Sequence, residues 1–308
     1  MPDGPSTASP TPPNTLLKPV NFDYLRAGSI AEVCERLHAL GEDARVLAGG
    51  QTLVPLLAMR LARPSVVIDI NAVPDLAGIT DAADHVAIRA CTRQADTEAS
   101  PIVRARLPLL AKGIRFVGHD QTRNRGTVGG SLVNADPSAE IALVAAALEA
   151  TLVTQGTDDL ATLPAADFFV GPMATALDPQ RLLVEARFPV WGGGHRIGSG
   201  FHEVNVRSSD YALVSAAAQV ALDADGTCRR ATLAIGAANP FPIRIAAAAD
   251  ALVGNRLDDA RIHAAAALVA DAIEPSDDQQ ASAAYRRRTA VALAIRALTD
   301  ARDEASRP

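Results

Sequence analysis

The chain has 308 residues, of which 48% are hydrophobic and 21% charged, and its formal net charge at pH 7 is −6. This length and composition are typical of a globular protein of about two domains, and the acidic balance argues against nucleic-acid binding, which normally needs a basic face. No apolar run approaches the roughly 18 residues that a bilayer span requires, so no membrane span is expected.

The cysteines Cys34, Cys91 and Cys228 are scattered along the chain, and no CxxC pair is present. The chain itself is therefore not expected to hold a zinc ribbon or an iron–sulfur cluster. An odd, scattered set of cysteines fits a reducing compartment, so we expect a cytoplasmic protein. Residues 1–16 are rich in proline and are predicted to form a disordered tail rather than a signal peptide.

The first folded part is predicted to alternate strands with a helix. Ser29 and Glu32 have the spacing of a capping box, and Gly41 is placed to end the helix that follows. Apolar runs predict short strands at 44–50, 65–70 and 85–90, the first of which runs into a glycine turn.

The middle of the chain is predicted to contain two further helices and two strands. Helical spacing extends over 102–116, and Asp136 and Pro137 suit the N-cap and the first position of the next helix. Strands are predicted at 151–155 and 181–188.

The glycine-rich segment 191–200 is the candidate domain boundary. Long strands are predicted to begin at Tyr211 and at Cys228, and three alanine-rich helical patterns follow, at about 243–253, 258–273 and 279–301. A sheet followed by a group of helices indicates an α+β arrangement.

Two Gly-Gly pairs occur in polar surroundings, Gly49-Gly50 after a predicted strand and Gly129-Gly130 before a predicted helix. Glycine has no Cβ, so its amide can approach a ligand closely and its φ can be positive. Successive amides of this kind form an anion nest, which can hold a diphosphate without a lysine. Each pair could also be only a tight turn. Two pairs with hydroxyl or amide neighbours favour a binding role.

Standard catalytic motifs are missing from the sequence: it contains no P-loop, GxGxxG, HExxH or GxSxG pattern. We therefore assign no catalytic residue and no metal ligand to this chain.

Long segments around the two pairs, 47–70 ("LAGGQTLVPLLAMRLARPSVVIDI") and 118–140 ("GHDQTRNRGTVGGSLVNADPSAE"), resemble the flavin-binding motifs of the medium, FAD-carrying subunit of molybdenum hydroxylases. That family includes carbon monoxide dehydrogenase and xanthine dehydrogenase. The resemblance continues through "RSSDYALVSAAA", "NPFPIRIAAAADALVGNRL" and "AYRRRTAVALAIRAL". It covers the chain from about residue 17 onward.

The resemblance implies an α+β fold in two parts. Residues 17–190 would form an FAD-binding domain of the PCMH, or vanillyl-alcohol-oxidase-like, type, with subdomains at about 17–70 and 71–190. Residues 196–308 would form a smaller C-terminal domain of sheet plus helices, of the carbon monoxide dehydrogenase flavoprotein type.

The resemblance also implies a set of residues that bind non-covalent FAD: Ala48, Gly49, Gly50, Gln51, Thr52, Thr127, Val128, Gly129, Gly130, Glu140 and Tyr211. Glu140 has an alternative role as a first-turn residue favoured by the helix dipole. Tyr211 could equally be a core tyrosine of a buried strand. Many close relatives have His at the position of Asn134, so the subfamily and the substrate stay open.

By this resemblance the protein is the electron-transfer subunit of an oxidoreductase complex. A large partner subunit would carry the molybdenum cofactor and a small one two [2Fe–2S] clusters, in a dimer of heterotrimers. Electrons would pass from the clusters to FAD and then to an external acceptor. One alternative is a self-contained FAD-dependent oxidoreductase of the same fold, with Tyr211 as its proton donor. Another is a scaffold protein that has lost the cofactor.

Overall fold

The computed structural model of the protein describes residues 18–307, and the tail predicted at 1–16 lies outside them. The strands are β1 Asp23–Arg26, β2 Ala44–Leu47, β3 Val66–Asp69, β4 Ile79–Asp81, β5 His85–Arg89, β6 Thr151–Gln155, β7 Leu160–Pro164, β8 Phe169–Gly171, β9 Ala174–Thr175, β10 Leu182–Pro189, β11 Arg196–Val204, β12 Val214–Leu222, β13 Cys228–Gly236 and β14 Ile243–Arg244. The helices are α1 Ile30–Leu40, α2 Leu53–Ala58, α3 Gln94–Ala99, α4 Pro101–Arg106, α5 Pro108–Gly113, α6 Asp120–Arg125, α7 Val128–Asn134, α8 Glu140–Ala147, α9 Ala165–Phe168, α10 Ala246–Leu252, α11 Asp259–Ala267, α12 Val269–Ala272 and α13 Ala283–Ala305.

A small parallel sheet in the order β1-β3-β2 opens the fold. Parallel strands need crossover connections: α1 connects β1 to β2, and α2 connects β2 to its neighbour β3. The apolar face of α1, formed by Val33, Cys34 and Leu37, is buried against this sheet. The segments after β2 and β3 meet at the carboxyl edge of the sheet, where Asn71 Nδ2 donates to the carbonyl of Ala48 over 2.8 Å.

Next to it lies an antiparallel five-stranded sheet in the order β4-β5-β10-β6-β7. Helix α8 belongs to the same hydrophobic core, and each of its eight residues is buried. A helix that is apolar on all sides requires neighbours on all sides. The C-terminal sheet is one of them, because the hydroxyl of Thr232 on β13 donates to the carbonyl of Ala147 over 2.7 Å.

The C-terminal part is an antiparallel sheet in the order β11-β12-β13-β14, with α10 and α13 packed on it and α11 and α12 packed mainly on α13. Helix α13 lies on β11 at backbone contact distance. A Cβ placed on Gly198 would be 2.0 Å from the carbonyl oxygen of Ala301, and one on Gly200 would be 2.1 Å from that of Ala297. Only glycine allows so close an approach of helix and strand.

A polar joint ties the two parts of the chain together. The ammonium of Lys112 on α5 donates to the carbonyl of Ser199 on β11 over 2.6 Å and to the carboxylate of Glu304 on α13 over 2.7 Å. The same carboxylate accepts from the backbone amide of Ser199 over 2.7 Å. These bonds hold the two parts together beside the shared packing around α8.

Some predicted boundaries were wrong for local reasons. The helix expected to start after Asp136 starts at Glu140, because the Asp136 carboxylate accepts from the amide and hydroxyl of Ser138 over 2.9 and 2.6 Å and closes a turn of its own. The helix expected over 102–116 is divided into α4 and α5, since Pro108 disfavours helical backbone at Leu107.

Two more differences concern the C-terminal part. The glycine-rich segment 191–200 is not all linker, because β11 begins at Arg196. The strand expected from Tyr211 begins at Val214, so Tyr211 lies in the loop between β11 and β12. The alternative role of Tyr211 as a core residue of a buried strand is therefore wrong.

Candidate cofactor site

A cavity of about 770 Å³ lies where the carboxyl edge of the small parallel sheet faces the five-stranded sheet and the β11–β12 loop. Its volume is in the range of small-molecule and cofactor sites. It is lined by all but one of the residues expected to bind the cofactor: Ala48, Gly49, Gly50, Gln51, Thr52, Thr127, Gly129, Gly130, Glu140 and Tyr211. The exception is Val128, the first residue of α7, which is fully buried in the core.

The loop that follows β2 has the geometry of an anion nest. Gly50 has a φ of 72°, a left-handed conformation that favours glycine. The amides of Gly49, Gly50, Gln51 and Thr52 have no acceptor within residues 18–307, and the next amides along the chain enter α2. Four successive free donors at the wall of a cavity form a site for a negatively charged group.

The second Gly-Gly pair is built differently, and the prediction of a second nest is wrong. Gly129 and Gly130 lie in the first turn of α7, and neither has a positive φ. Their amides are already bonded: that of Gly129 donates to the carbonyl of Ala90 over 2.8 Å, and that of Gly130 to the N-cap hydroxyl of Thr127 over 3.0 Å.

Close packing explains why glycine is required in α7. A Cβ placed on Gly129 would lie 2.5 Å from the Cβ of Ala90, far inside contact distance. The helix therefore sits directly on the end of β5 and presents Ser131 and Asn134 to the cavity. In this second segment the amides of Gly129 and Gly130 are already bonded, whereas the side chains of Ser131 and Asn134 line the cavity.

The two glycine segments touch each other. A Cβ placed on Gly49 would lie 2.4 Å from the carbonyl oxygen of Arg125 and 2.8 Å from the α-carbon of Gly126. The first loop therefore rests on the backbone that leads into α7. The position of one segment fixes that of the other, and together they frame one wall of the cavity.

Acidic groups gather near the start of α8. Glu140 is 8% exposed, and burial raises the pKa of its carboxyl to about 7, with the nearby charge of Asp136 adding to the effect. Burial raises the pKa of Glu203 on β11 to about 8, and the charge of Glu140 raises it further. One carboxyl oxygen of Glu203 accepts from Asn205 over 3.0 Å, and the other is buried without a partner in the described chain.

Tyr211 reaches the cavity from the C-terminal part of the chain. Its side chain is 72% exposed, so it is not part of a core. Ser209 and Asp210 from the same loop also line the cavity, and Ser209 has a φ of 71°. A large exposed aromatic at the mouth of a cavity is suited to cover the face of a planar ligand.

Comparison with protein-family models gives two matches in chain order. Residues 20–191 match the FAD binding domain in molybdopterin dehydrogenase, and residues 199–301 match the CO dehydrogenase flavoprotein C-terminal domain. The chain belongs to this family. The expected family, its α+β fold class and its FAD cofactor are thereby confirmed.

Several molybdopterin dehydrogenase flavoproteins are similar over nearly their whole length. The chain is 36% identical to the 6-hydroxypseudooxynicotine dehydrogenase complex subunit alpha of Paenarthrobacter nicotinovorans, covering 92% of this chain and 96% of that protein. It is 33% identical to the carbon monoxide dehydrogenase medium chain of Hydrogenophaga pseudoflava, covering 92% and 98%. Because these relatives are subunits of dehydrogenases, the chain is the FAD subunit of a multi-subunit oxidoreductase.

Solved structures agree with this assignment. Carbon monoxide dehydrogenase from Hydrogenophaga pseudoflava superposes with a TM-score of 0.89 at 34% identity, covering 93% of this chain and 99% of that one. Quinoline 2-oxidoreductase from Pseudomonas putida 86 gives a TM-score of 0.88, also at 34% identity, covering 94% and 100%.

The residues around the cavity of this molybdopterin dehydrogenase flavoprotein are themselves suited to bind FAD. The four free amides of the first loop suit a diphosphate. Gln94 is 5% exposed, lines the cavity, and has a buried amide oxygen without a partner in the described chain, ready to accept from a ribityl or ribose hydroxyl. Both observations match groups that FAD carries.

The two arginines of the second segment have different surroundings. The buried guanidinium of Arg123 pairs with Glu98 and Asp120 over 2.7 and 2.5 Å and donates to two carbonyl groups. It is structural. The side chain of Arg125, by contrast, is exposed.

Sequence reasoning missed several residues at this site. Gln94 and Arg93 follow the predicted strand 85–90 by a few residues, and Asn71 follows the strand 65–70 directly. Polar residues just after strands were a usable signal, because strand ends gather at ligand sites in open sheets. Glu203 gave no such signal, since it lies within β11, a strand that was not predicted.

No helix within residues 18–307 is long and apolar enough to cross a membrane. In the same range, no group of three or more His, Cys, Asp or Glu residues is arranged to hold a metal ion.

Proposed function

We propose that this chain carries electrons within a molybdenum hydroxylase complex. The cavity would hold FAD, and the chain would pass electrons from two [2Fe–2S] clusters of a small partner subunit to an external acceptor. Substrate is oxidised at a molybdenum cofactor on a large partner subunit. The expected assembly is a dimer of heterotrimers.

The observation that carries the proposal is the first loop, where four free amides open into a dinucleotide-sized cavity. The names of the relatives support the rest: "medium chain" and "medium subunit" describe one component of a larger enzyme. The buried free thiols of Cys34, Cys91 and Cys228 suit the reducing, cytoplasmic location expected from the sequence.

FAD supplies the redox chemistry, because it accepts electrons singly or in pairs, and the protein binds, orients and tunes it. Within this chain we assign the diphosphate to the amides of residues 49–52. Gln94 accepts from a sugar hydroxyl, Tyr211 covers the open mouth, and Glu140 provides a carboxyl at the other wall. We retain the division into domains at 17–190 and 196–308, with subdomains at about 17–70 and 71–190, as part of this proposal.

A self-contained FAD-dependent oxidoreductase is the alternative, and the exposed phenol of Tyr211 at the cavity is the observation that favours it. Such an enzyme would reduce its own flavin with substrate, using Tyr211 to move a proton.

Purification from the native host at native expression separates the two functions. The proposal expects two partner chains in equal amounts, with molybdenum and iron. The complex and the separated flavoprotein are then mixed anaerobically with a panel of N-heterocycles and aldehydes, and flavin absorbance near 450 nm is followed. Bleaching in the complex alone supports the proposal, whereas bleaching in the separated chain supports the alternative. A colourless chain that does not take up FAD would contradict both.

A further inference from the structure

Arg93 lies behind the two glycine segments, outside the residues that line the cavity, and its guanidinium bridges them. One of its terminal nitrogens donates to the carbonyl of Arg125 over 2.5 Å, at the start of the second segment. The other donates to the side-chain oxygen of Asn71 over 2.7 Å. The flat guanidinium fork can make both bonds at once, which a single ammonium on a flexible stem does less well.

Asn71 extends the bridge to the first loop. Its amide nitrogen donates to the carbonyl of Ala48 over 2.8 Å, immediately before the free amides of that loop. Asp69 holds the same amide in place, accepting from its side chain over 2.6 Å and from the backbone of Asn71 over 2.8 Å. A continuous chain of bonds therefore runs from the carbonyl of Ala48 through Asn71 and Arg93 to the carbonyl of Arg125.

The backbone around Arg93 is itself attached to the second segment. Arg93 pairs with Thr127 in an isolated β-bridge. On either side of that bridge, Val128 donates to the carbonyl of Thr92, and Gln94 donates to the carbonyl of Gly126, each over 3.0 Å. Arg93 is thus fixed to the second segment by its backbone and reaches the first through its side chain.

We infer that Arg93 and Asn71 are positioning residues that set the spacing of the two glycine segments and so hold the first loop in its FAD-binding conformation. The inference rests on the proposed role of that loop. Loss of the bridge leaves Gly49 in contact with Arg125 but removes the bonds that fix the carbonyl side of the nest. The amides then lose their alignment on the diphosphate, and FAD dissociates faster.

The test uses the full-length chain, freed of flavin and titrated with FAD while flavin fluorescence is followed. R93A should raise the dissociation constant about tenfold or more, the size of one lost charge-assisted hydrogen bond. R93K retains the charge but not the fork, and should stay within about threefold of R93A. R106A is the control, because the Arg106 guanidinium likewise joins a side-chain oxygen, that of Asp81, to backbone carbonyls, those of Ala82 and Ala83, away from the cavity.

A double-mutant cycle separates bridging from general stabilisation. R93A and N71A each break the same chain of hydrogen bonds. The dissociation constant of the double variant for FAD should therefore be about equal to the larger of the two single-variant values. The melting temperature of each apoprotein is measured alongside. Full recovery in R93K, additive effects in the cycle, or an equal loss of affinity in R106A would overturn the inference. If R93A does not fold, R93K and N71A decide in the same way. Failure of the wild-type apoprotein to bind FAD would instead contradict the proposed function.

Discussion

Gly50 and Gly129 both lack a side chain, but for different physical reasons. Gly50 has a left-handed φ, and its neighbours leave its amide free. Gly129 has helical backbone, and Ala90 occupies the space that a side chain at position 129 would need. The first glycine serves conformation and binding, whereas the second serves packing.

Replacement of Gly50 by alanine should therefore weaken FAD binding more than it weakens the fold. The left-handed conformation costs an L-residue about 1–2 kcal/mol, and relaxing it turns the amides away from the diphosphate. G254A is the matched control, because Gly254 has a φ of 79° with nothing within 4 Å of an added Cβ and does not line the cavity. G50A should lose somewhat more apoprotein stability in urea than G254A, because its added Cβ also lies 3.1 Å from Val54 Cγ2 and 3.3 Å from Leu47 Cδ1, and only G50A should lose flavin absorbance. Equal flavin content in the two would show that the first loop is merely a turn.

Glu140 and Glu203 should make the stability of the apoprotein depend on pH. Burial raises their pKa values to about 7 and about 8, so the native state keeps protons that the unfolded chain releases near its ordinary value of about 4.3. Since the native state then binds more protons, the free energy of unfolding should fall as the pH rises from about 4.5 to about 8. For Glu140 the loss is on the order of 3 kcal/mol.

Urea unfolding at a series of pH values measures this effect. E140Q and E203Q should each flatten the decline, because a neutral amide has no proton to lose, while E42Q at an exposed carboxyl should leave it unchanged. A wild-type stability that rises between pH 5 and 8 would contradict the assignment.

At the scale of elements, the sequence was most informative where local and tertiary preferences agree. Strands β3 and β5 are short apolar runs with turn residues at their ends, and both were predicted within a residue or two. Helix α7 was missed because its double glycine suggested a loop. The overlooked signal was Thr127. It is the N-cap residue of α7, and its hydroxyl accepts from the amide of Gly130, three positions later.

Strand β11 could not have been found from local pattern. Its glycines resemble a linker, and their reason is the backbone of α13, which lies more than ninety residues away in the sequence. The same difference between local and tertiary determinants applies to the cavity. The first loop was predictable from its own residues, but the contact between Gly49 and Arg125 and the Arg93 bridge depend on tertiary neighbours.

Replacement of Gly200 by alanine should destabilise the C-terminal part strongly. The added Cβ would meet the carbonyl oxygen of Ala297 at 2.1 Å, and a backbone atom cannot give way without moving α13 off the sheet. We expect a loss of about 3 kcal/mol or more, at the upper end of overpacking costs. G192A is the control, because an added Cβ there has nothing within 4 Å. A melting temperature for G200A within a degree or two of that of G192A would show that the helix can shift at little cost.

For the whole molecule, the cavity depends on every part of the chain. The small parallel sheet supplies the free amides, α7 and α8 supply one wall, and the β11–β12 loop supplies Tyr211. The residues matched by the FAD-binding family model end at 191, before that loop. The C-terminal part therefore completes the cofactor site, because its β11–β12 loop lines the cavity.

We expect this site to bind FAD non-covalently. The residues that line the cavity include no cysteine or histidine, since His119 of the second segment lies outside the lining and the three cysteines are buried in the cores. Unfolding in guanidinium followed by chromatography should release all of the flavin as FAD. Colour that stays with the polypeptide, or release of FMN, would contradict this.

The Lys112 joint has a practical consequence for mapping the partners. Lys18 and Lys112 are the only lysines in the chain, and Lys112 is committed to Ser199 and Glu304. Amine-reactive cross-linkers would therefore acylate the amine of Lys112 and remove the charge from this contact between the two parts of the chain. They would also leave most of the surface unsampled. Photoreactive residues placed at Arg125 and Tyr211 would report subunit proximity while leaving the contact of Lys112 with Ser199 and Glu304 intact.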